Sequence, residues 1–402
     1  GDGRAVLLGE CIDHKKQRWD VQLKGSGQTA YSRNGDGRCP LGPAIREYLV
    51  SEGLHALGVP STRSLALVST GQTVVREQSF PGGIVTRVAS SHLRIGTFEY
   101  ASNHGGKESL SALTHYAINR HYPHCQQDDH PVRSFFSHVC SRQAQLIASW
   151  LSLGFVHGVM NTDNTTISGE TIDFGPCAFM ESYDPHIVFS YIDQMGRYAY
   201  SQQPVIGQWN LGRLATCLLP LISDDTDQAQ SILQTQLDYF LDEFRQHYHQ
   251  HMVSKMGLEN DTETSLELVR DYLHLMEESR ADFTLSFRYL SDVLTDDQDH
   301  HLNLFTKKSG IKDWLTRWRQ NLSHSNRDLQ SIKQAMNQIN PIVIPRNHLV
   351  AEAIQDAVDE QNYSTFFNLL QALETPFSET SNQKYIDPAL DSQRVTTTFC
   401  GT

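Results

Sequence analysis

Three features of the sequence predict a two-lobed α+β fold. The first hundred residues carry the two-residue alternation and glycine turns of strands around one helix. From about Lys107 the periodicity is helical almost to the end. A short, motif-dense segment, His157–Gly175, interrupts that helical region. The chain has 402 residues, 39% of them hydrophobic, with five Trp, 15 Tyr and 17 Phe; this supplies a sizeable core and excludes whole-chain disorder. A net charge of −13 argues against a generally basic nucleic-acid binder. The most apolar stretch, Leu214–Ile222, has about half the length of a membrane span.

In chain order, Ala5–Glu10 reads as a strand leaving a glycine turn. Trp19, Val21 and Leu23 alternate with Asp20, Gln22 and Lys24, which predicts a second strand with Lys24 ending its polar face. A turn-rich loop, Gly25–Gly37, follows. A helix starting at Pro43 places Glu47, Val50, Leu54 and Leu57 on one stripe, and Gly58 and Pro60 stop it. Ser64–Ser69, Thr73–Glu77 and Gly83–Val88 read as three further strands. Glu108–Tyr122 and Val132–Leu153 read as helices around a turn-like His121–Pro131. After Gln208 the pattern is helical, with breaks near Ser223–Asp227, Glu259–Thr264 and Asp296–His301, and Ser378–Gln393 reads as an extended tail. The expected units are a strand-rich, nucleotide-binding lobe over 1–105, a second-lobe core over 106–225, and a helical extension with tail over 226–402.

Seven scattered cysteines without a CxxC pair do not support a zinc ribbon and suit a reducing compartment. No secretory signal opens the chain, and its start at Gly1-Asp2-Gly3-Arg4, without Met, suggests that an N-terminal segment precedes it.

The chemistry-bearing residues fall into four groups. Lys24 ends a strand, and Glu47 heads the apolar stripe of the next helix. An inward carboxylate needs a partner, so the two form either a phosphate-binding lysine with its glutamate or a plain structural ion pair. His157–Asn164 followed by Ile172-Asp173-Phe174-Gly175 offers Asn164 and Asp173 as hard oxygen ligands for Mg²⁺. Strand lysine, helix glutamate, loop asparagine and Asp-Phe-Gly is the order of protein-kinase-like folds. In that frame Val159 stands where the catalytic aspartate belongs. Asp163, next to Asn164, is either a proton acceptor or a turn cap. Arg87 and Arg94, seven residues apart, are either phosphate forks or a solvated face. Gly1-Asp2-Gly3-Arg4, ahead of the lysine strand, is a weak phosphate-loop signal.

On these and further motifs the chain resembles the selenoprotein O family (bacterial YdiU-type proteins) over its whole length. The motifs are Gln22-Leu23-Lys24-Gly25-Ser26-Gly27, Tyr31-Ser32-Arg33 to Asp36-Gly37-Arg38, Ile45-Arg46-Glu47-Tyr48-Leu49, Asn161-Thr162-Asp163-Asn164, Asp173-Phe174-Gly175-Pro176, Gly196-Arg197-Tyr198, Trp209-Asn210-Leu211, Arg346-Asn347-His348-Leu349 and Thr398-Phe399-Cys400-Gly401-Thr402. The resemblance implies a kinase-like fold that binds ATP in the opposite sense and transfers AMP to Ser, Thr or Tyr hydroxyls of protein substrates, with Mg or Mn, and in some members UMP. It implies nucleotide contacts from Gly1, Gly3, Arg4, Lys24, Asp36, Gly37 and Asp173, and a terminal-phosphate grip by Arg87 and Arg94. It further implies Asp163 as general base, Asn164 and Asp173 as metal ligands, and Glu47 as the partner of Lys24. Attack at the α-phosphate would expel pyrophosphate. In some members a C-terminal cysteine, here Cys400, pairs with a cysteine after Asp-Phe-Gly. The expected place holds Phe189, with Cys177 nearby, and a free thiol at Cys400 is the alternative.

His247 and His251, spaced i, i+4, read as a solvated helix face, and His300–His301 as an exposed acidic loop. The expected protein is a monomer without nucleic-acid or membrane partners, cytoplasmic in a bacterium or mitochondrial in a eukaryote. The rival functions are an ordinary phosphotransferase and a catalytically silent nucleotide-binding scaffold.

Overall fold

The computed structural model describes residues 2–259, 262–295, 299–324, 327–380 and 382–399; Gly1 and Cys400 lie outside them. The strand-rich first region consists of β1 (Ala5–Ile12), β2 (Arg18–Lys24), β3 (Cys39–Pro40), α1 (Leu41–Ala56), β4 (Arg63–Val75) and β5 (Ser79–Ala89). These strands form a five-stranded antiparallel sheet. β5 pairs with β2 and β3 and, separately, with β4, while β1 pairs with β2. Ser64–Ser69 and Thr73–Glu77, expected as separate strands, belong to the single long β4. A register shift between Ser69 and Thr73 against β5 absorbs the Thr70-Gly71-Gln72 interruption.

The alternation in β2 holds, and its polar set is the buried one. Asp20, Gln22 and Lys24 are each at most 5% exposed. On β5, Arg87 pairs with Gln22 in register and is buried on the same face. This face is a polar wall rather than a hydrophobic one.

α1 starts two residues before Pro43, which sits harmlessly in its first turn. It is buried almost all round, not along one stripe, because the end of the chain returns to cover it. Leu41, Ile45 and Leu49 pack with Leu349, Val350 and Ala353 of α11 (Asn347–Asp359) and with Phe366, Leu369 and Leu373 of α12 (Ser364–Leu373). A β-carbon on Gly53 would stand 2.5 Å from the Pro345 ring, so this contact requires glycine.

The second region opens with α2 (Ile95–His121), a turn of 3-10 helix at Pro123–Gln127, and α3 (Pro131–Ser152). α2 begins well before the expected Glu108. The polar run Ala101–Lys107 hid its first half, and Gly106, at φ +66°, kinks it. β6 (Phe155–Val156) and β7 (Ala178–Phe179) bracket the loop segment. The chain continues through α4 (Gln203–Ile222), α5 (Thr226–Lys255), α6 (Glu263–Ser279), α7 (Phe283–Leu290), α8 (Asp299–Asn303), α9 (Lys308–Leu322) and α10 (Leu329–Ile339), and α13 (Gln383–Ile386) follows α12. Apolar residues of α4 to α10 join one large core with α2 and α3, while Ile386 of α13 packs in the cluster of α1, α11 and α12. His300 and His301 lie on α8, not on a loop, and His301 is fully buried with its ring 2.9 Å from the Tyr272 hydroxyl. Among the described residues no helix is long and apolar enough to cross a membrane.

Candidate active site

The polar wall of β2 and β5, the helix α1 and the loop at Asp173 meet in one cluster of charges. Lys24 Nζ donates to Glu47 Oε2 at 2.6 Å and also to Asp173 Oδ1. Arg87 donates from Nε to Glu47 Oε1 and from Nη2 to Asp173 Oδ1 at 2.9 Å. Two cations thus share two carboxylates, and all but Asp173 are nearly inaccessible to water; the Asp173 side chain is 19% exposed.

Burial opposes every one of these charges, and mutual pairing overcomes it. Burial would raise the Glu47 carboxyl, but Arg87 and Lys24 bring it below its ordinary value. Burial and Arg87 work against charged Lys24, yet Asp173 and Glu47 raise its pKa. Burial likewise opposes ionised Asp173, while Lys24, Arg87 and Arg4 hold its carboxyl well below the usual range. Asp173 also adopts φ +68°, a left-handed conformation unusual for a residue other than glycine.

The loop carrying Asp173 is held from behind. His157 is fully buried and its Nε2 lies 2.9 Å from the Ile172 carbonyl, one residue before Asp173. Burial pushes the His157 pKa down, so the ring is neutral and Nε2–H is the donor. The amide of His157 donates to Gln203 Oε1 at 2.9 Å, and Asn210 Nδ2 donates to the Met160 carbonyl at 3.0 Å, so α4 fixes the 157–160 turn.

Arg94 reaches the cluster through Asp2. Its Nη2 donates to Asp2 Oδ1 at 2.8 Å, and Gln22 Nε2 lies 3.5 Å from the same oxygen. Arg94 Nε is buried without a hydrogen-bond partner among the described residues. Gly3 packs on Tyr31 and Ser32, where a β-carbon would meet the Tyr31 carbonyl at 3.1 Å. A cavity of about 430 Å³ opens here, walled by Asp2, Asp20, Gln22, Thr29, Tyr31 and His92.

Asp163 lies in the 3-10 turn Thr162–Asn164, which packs against the start of α2. A β-carbon on Gly96 would stand 2.4 Å from Asp163 Oδ1, so glycine there is what admits the carboxylate. Hydrogen bonds from Ile95 N to the Thr165 carbonyl and from Ile167 N to the Leu93 carbonyl tie this turn to the Arg94 segment. Asn164 Nδ2 donates to the Val159 carbonyl at 3.1 Å, leaving Oδ1 as its available atom.

Of the residues singled out in the sequence, Lys24, Glu47, Arg87 and Asp173 are in direct contact, Arg4 lies within their electrostatic reach, and Arg94 connects through Asp2 and Gln22. Asp36 stands apart, in a two-pronged ion pair with Arg76 at 2.9 and 3.0 Å. Gly37, at φ +66°, lets the loop close on Gly27, whose carbonyl would lie 1.9 Å from a β-carbon. Sequence reasoning missed Asp2, Gln22, Gly96 and Gln203. Gln22 carried a signal in the Asp20/Gln22/Lys24 alternation and Asp2 in the Gly1-Asp2-Gly3-Arg4 loop, whereas Gly96 and Gln203 carried none.

The profile of the family Protein adenylyltransferase SelO matches residues 1–374. The chain belongs to the SelO family. A protein from Maridesulfovibrio salexigens named Protein nucleotidyltransferase YdiU is 51% identical over all of this chain and 82% of its own length. Proteins of the same name from Rhizobium etli and Rhodopseudomonas palustris are 49% and 50% identical over all of this chain and 81% and 82% of theirs. The protein is therefore an enzyme, a nucleotidyltransferase.

Several SelO-family motifs prove to be architectural. Arg346 is fully buried, paired with Asp282 at 2.8 Å, and Asn347 bonds both the amide and the carbonyl of Phe179 in β7. Thr398 donates its amide to the Phe189 carbonyl at 2.8 Å and its hydroxyl to the Pro176 carbonyl, so the tail lies along the segment after Asp-Phe-Gly. The buried Cys177 thiol lies 3.3 Å from the Phe174 carbonyl.

Proposed function

We propose that this SelO-family enzyme transfers AMP from ATP to Ser, Thr or Tyr hydroxyls of protein substrates and releases pyrophosphate, within a two-lobed protein-kinase-like frame whose small lobe spans 1–105. The observation that carries the reading is the convergence of Lys24 and Arg87 on Asp173, with Arg94 joined through Asp2 and Gln22. Such a cationic wall suits the far phosphates of a nucleotide, because charge that develops on a leaving pyrophosphate is stabilised by preorganised donors.

In this reading Gly1, Gly3, Arg4, Lys24, Asp36, Gly37, Arg87, Arg94 and Asp173 contact the nucleotide. Asn164 and Asp173 would hold Mg or Mn. Their donor set fits a hard cation: Asn164 Oδ1 is left over once Nδ2 is engaged, and none of the hydrogen bonds among the described residues reaches Asp173 Oδ2. A bound ion would neutralise phosphate charge. Asp163 accepts the proton of the acceptor hydroxyl as its oxygen bonds to the α-phosphorus. The bond from that phosphorus to the bridging oxygen breaks, and pyrophosphate leaves towards Lys24, Arg87 and Arg94. Val159, in the place of the kinase aspartate, supports Asp163 in this role. UMP transfer with Mn is the same chemistry on a different nucleotide.

The test is ATP labelled at the α- or the γ-phosphate, with Mg²⁺ and an Asp173→Ala control. Protein-bound label from the α position alone supports the proposal. Label from the γ position alone makes the enzyme a kinase, and ATP binding without either label makes it a silent scaffold.

A further inference from the structure

We propose a second metal site, for Zn²⁺ or a similar borderline-soft divalent ion, formed by His124, Cys125 and His138. It lies between α2 and α3, apart from the Asp173 cluster. His124 and Cys125 sit in the 3-10 turn Pro123–Gln127, and His138 projects from the second turn of α3. Their ligand atoms all lie within 4.8 Å of one another, and the two Nε2 atoms face each other at 3.0 Å.

Two imidazoles and a thiolate form a donor set that selects Zn²⁺ over Mg²⁺ or Ca²⁺. Tetrahedral zinc, with Zn–N near 2.0 Å and Zn–S near 2.3 Å, spaces its nitrogens about 3.3 Å apart and nitrogen from sulfur about 3.6 Å. The two Nε2 atoms, 3.0 Å apart, need to open by about 0.3 Å, and ligand atoms at most 4.8 Å apart need to close by about 1.2 Å or less, rotamer-scale adjustments.

The surroundings suit such a site. Ser134 Oγ donates to Cys125 Sγ at 3.3 Å, which orients the sulfur. The His138 ring stacks on Tyr122 with centroids 5.9 Å apart, which fixes its plane. Asp128 and Glu243 face His138 with negative charge; Arg142, whose guanidinium lies over the Tyr122 ring at 4.6 Å, opposes them. Cys125 is buried, whereas both histidines are exposed, so an ion can enter from solvent. Binding releases the Cys125 thiol proton to solvent. The histidine now donating through Nε2 moves that proton to Nδ1. Three protein ligands leave the fourth position to water, and the ion staples the 3-10 turn to α3.

The experiment titrates the intact chain with Co²⁺ alone and then displaces it with Zn²⁺. The expected result is a near-ultraviolet thiolate-to-cobalt band that saturates at one equivalent. An ion bound by Asn164 and Asp173 gives no such band, since its ligands are oxygens. His124→Ala and His138→Ala change exposed residues and should each weaken Co²⁺ binding at least about tenfold. Cys125→Ser should remove the band, and Cys11→Ser, which alters an exposed thiol elsewhere, should leave it. Zn²⁺ should raise the thermal midpoint of the wild type but not of His138→Ala. Absence of the band in the wild type, or its persistence at full affinity in both histidine variants, would overturn the proposal even if Cys125→Ser failed to fold.

Discussion

Replacing Glu47 with glutamine tests whether the buried charges are held by mutual compensation. Glu47 is 2% exposed and binds Lys24 through one oxygen and Arg87 through the other. Glu47→Gln keeps the shape but leaves two buried cations facing the single charge of Asp173. Breaking a buried pair by removing one partner costs about 3–5 kcal/mol. Unfolding entropy of about 2.1 cal/mol/K per residue, over 402 residues, converts this into a fall of about 4–6 °C in the melting midpoint. Lys24 limits the loss, because without Glu47 burial favours its neutral form. Adding Lys24→Met should restore balance as an Arg87–Asp173 pair, so the double variant should be more stable than the summed single effects predict, by about 1–3 kcal/mol. The assay is urea and thermal unfolding of both single variants, the double variant and the wild type at pH 7.5. A Glu47→Gln protein within about 0.5 kcal/mol of wild type, or strict additivity, would refute the reasoning.

Asp173→Asn, which keeps the volume and removes the charge, should lower the rate of nucleotide transfer at least about 10²-fold with the protein still folded; a fully active variant would exclude Asp173 from the chemistry. Gly96→Ala drives a β-carbon to 2.4 Å from Asp163 Oδ1, so kcat should fall about 10–100-fold while the melting midpoint moves little; unchanged kcat would remove Asp163 from the site. Arg346→Leu strands Asp282 in the core and should destabilise by about 3–5 kcal/mol in the same unfolding assay. Burial pushes the His301 pKa down from 6.5 to about 3, so the folded state binds fewer protons than the unfolded one; the stability this contributes is complete above pH 6.5 and is lost as the pH falls, on the order of 3 kcal/mol by pH 4. His301→Phe should flatten that acid slope, and an unchanged slope would show that His301 does not set it.

Three members of the cluster were legible in the sequence, while Arg87 read equally well as part of a solvated face. Lys24 stood on the polar side of an alternating strand, Glu47 on the apolar stripe of a helix, and Asp173 in a tripeptide nine residues beyond Asn164. What stayed hidden depends on contacts distant in sequence. The stripe on α1 foretold one buried face, and nothing local announces that α11 and α12 bury the other. Asp2 is an ordinary polar residue until Arg94 reaches it from 92 positions away in the chain, and Gln22 until it meets Asp2 and Arg87. Gly96 looks like a weak helix residue, and only the approach of Asp163 explains it. His124, Cys125 and His138 show no spacing motif, because the reversal between α2 and α3 is what brings them together.

The charge balance of the cluster bears on how a nucleotide would enter. Lys24 and Arg87 carry two positive charges, and Glu47 and Asp173 two negative ones, so the core of the site is neutral as it stands. A nucleotide triphosphate brings about four negative charges, which a divalent cation only half offsets. In the proposed reaction, Asp173 must therefore change allegiance. Drawn to a cation, it leaves Lys24 and Arg87 with Glu47 alone, and one net positive charge becomes available to the phosphates. Glu47 cannot make this exchange, being 2% exposed and engaged through both oxygens, whereas Asp173 has a second oxygen and partial access to water. The left-handed φ at Asp173 is held by its ion pairs to Lys24 and Arg87. Glu47→Gln should then weaken the fold, yet where bound phosphates replace Glu47 in keeping Lys24 protonated they face a more positive wall. Nucleotide affinity and stability should move in opposite directions at position 47 and together at position 24, where Lys24→Met removes a cation that both states use.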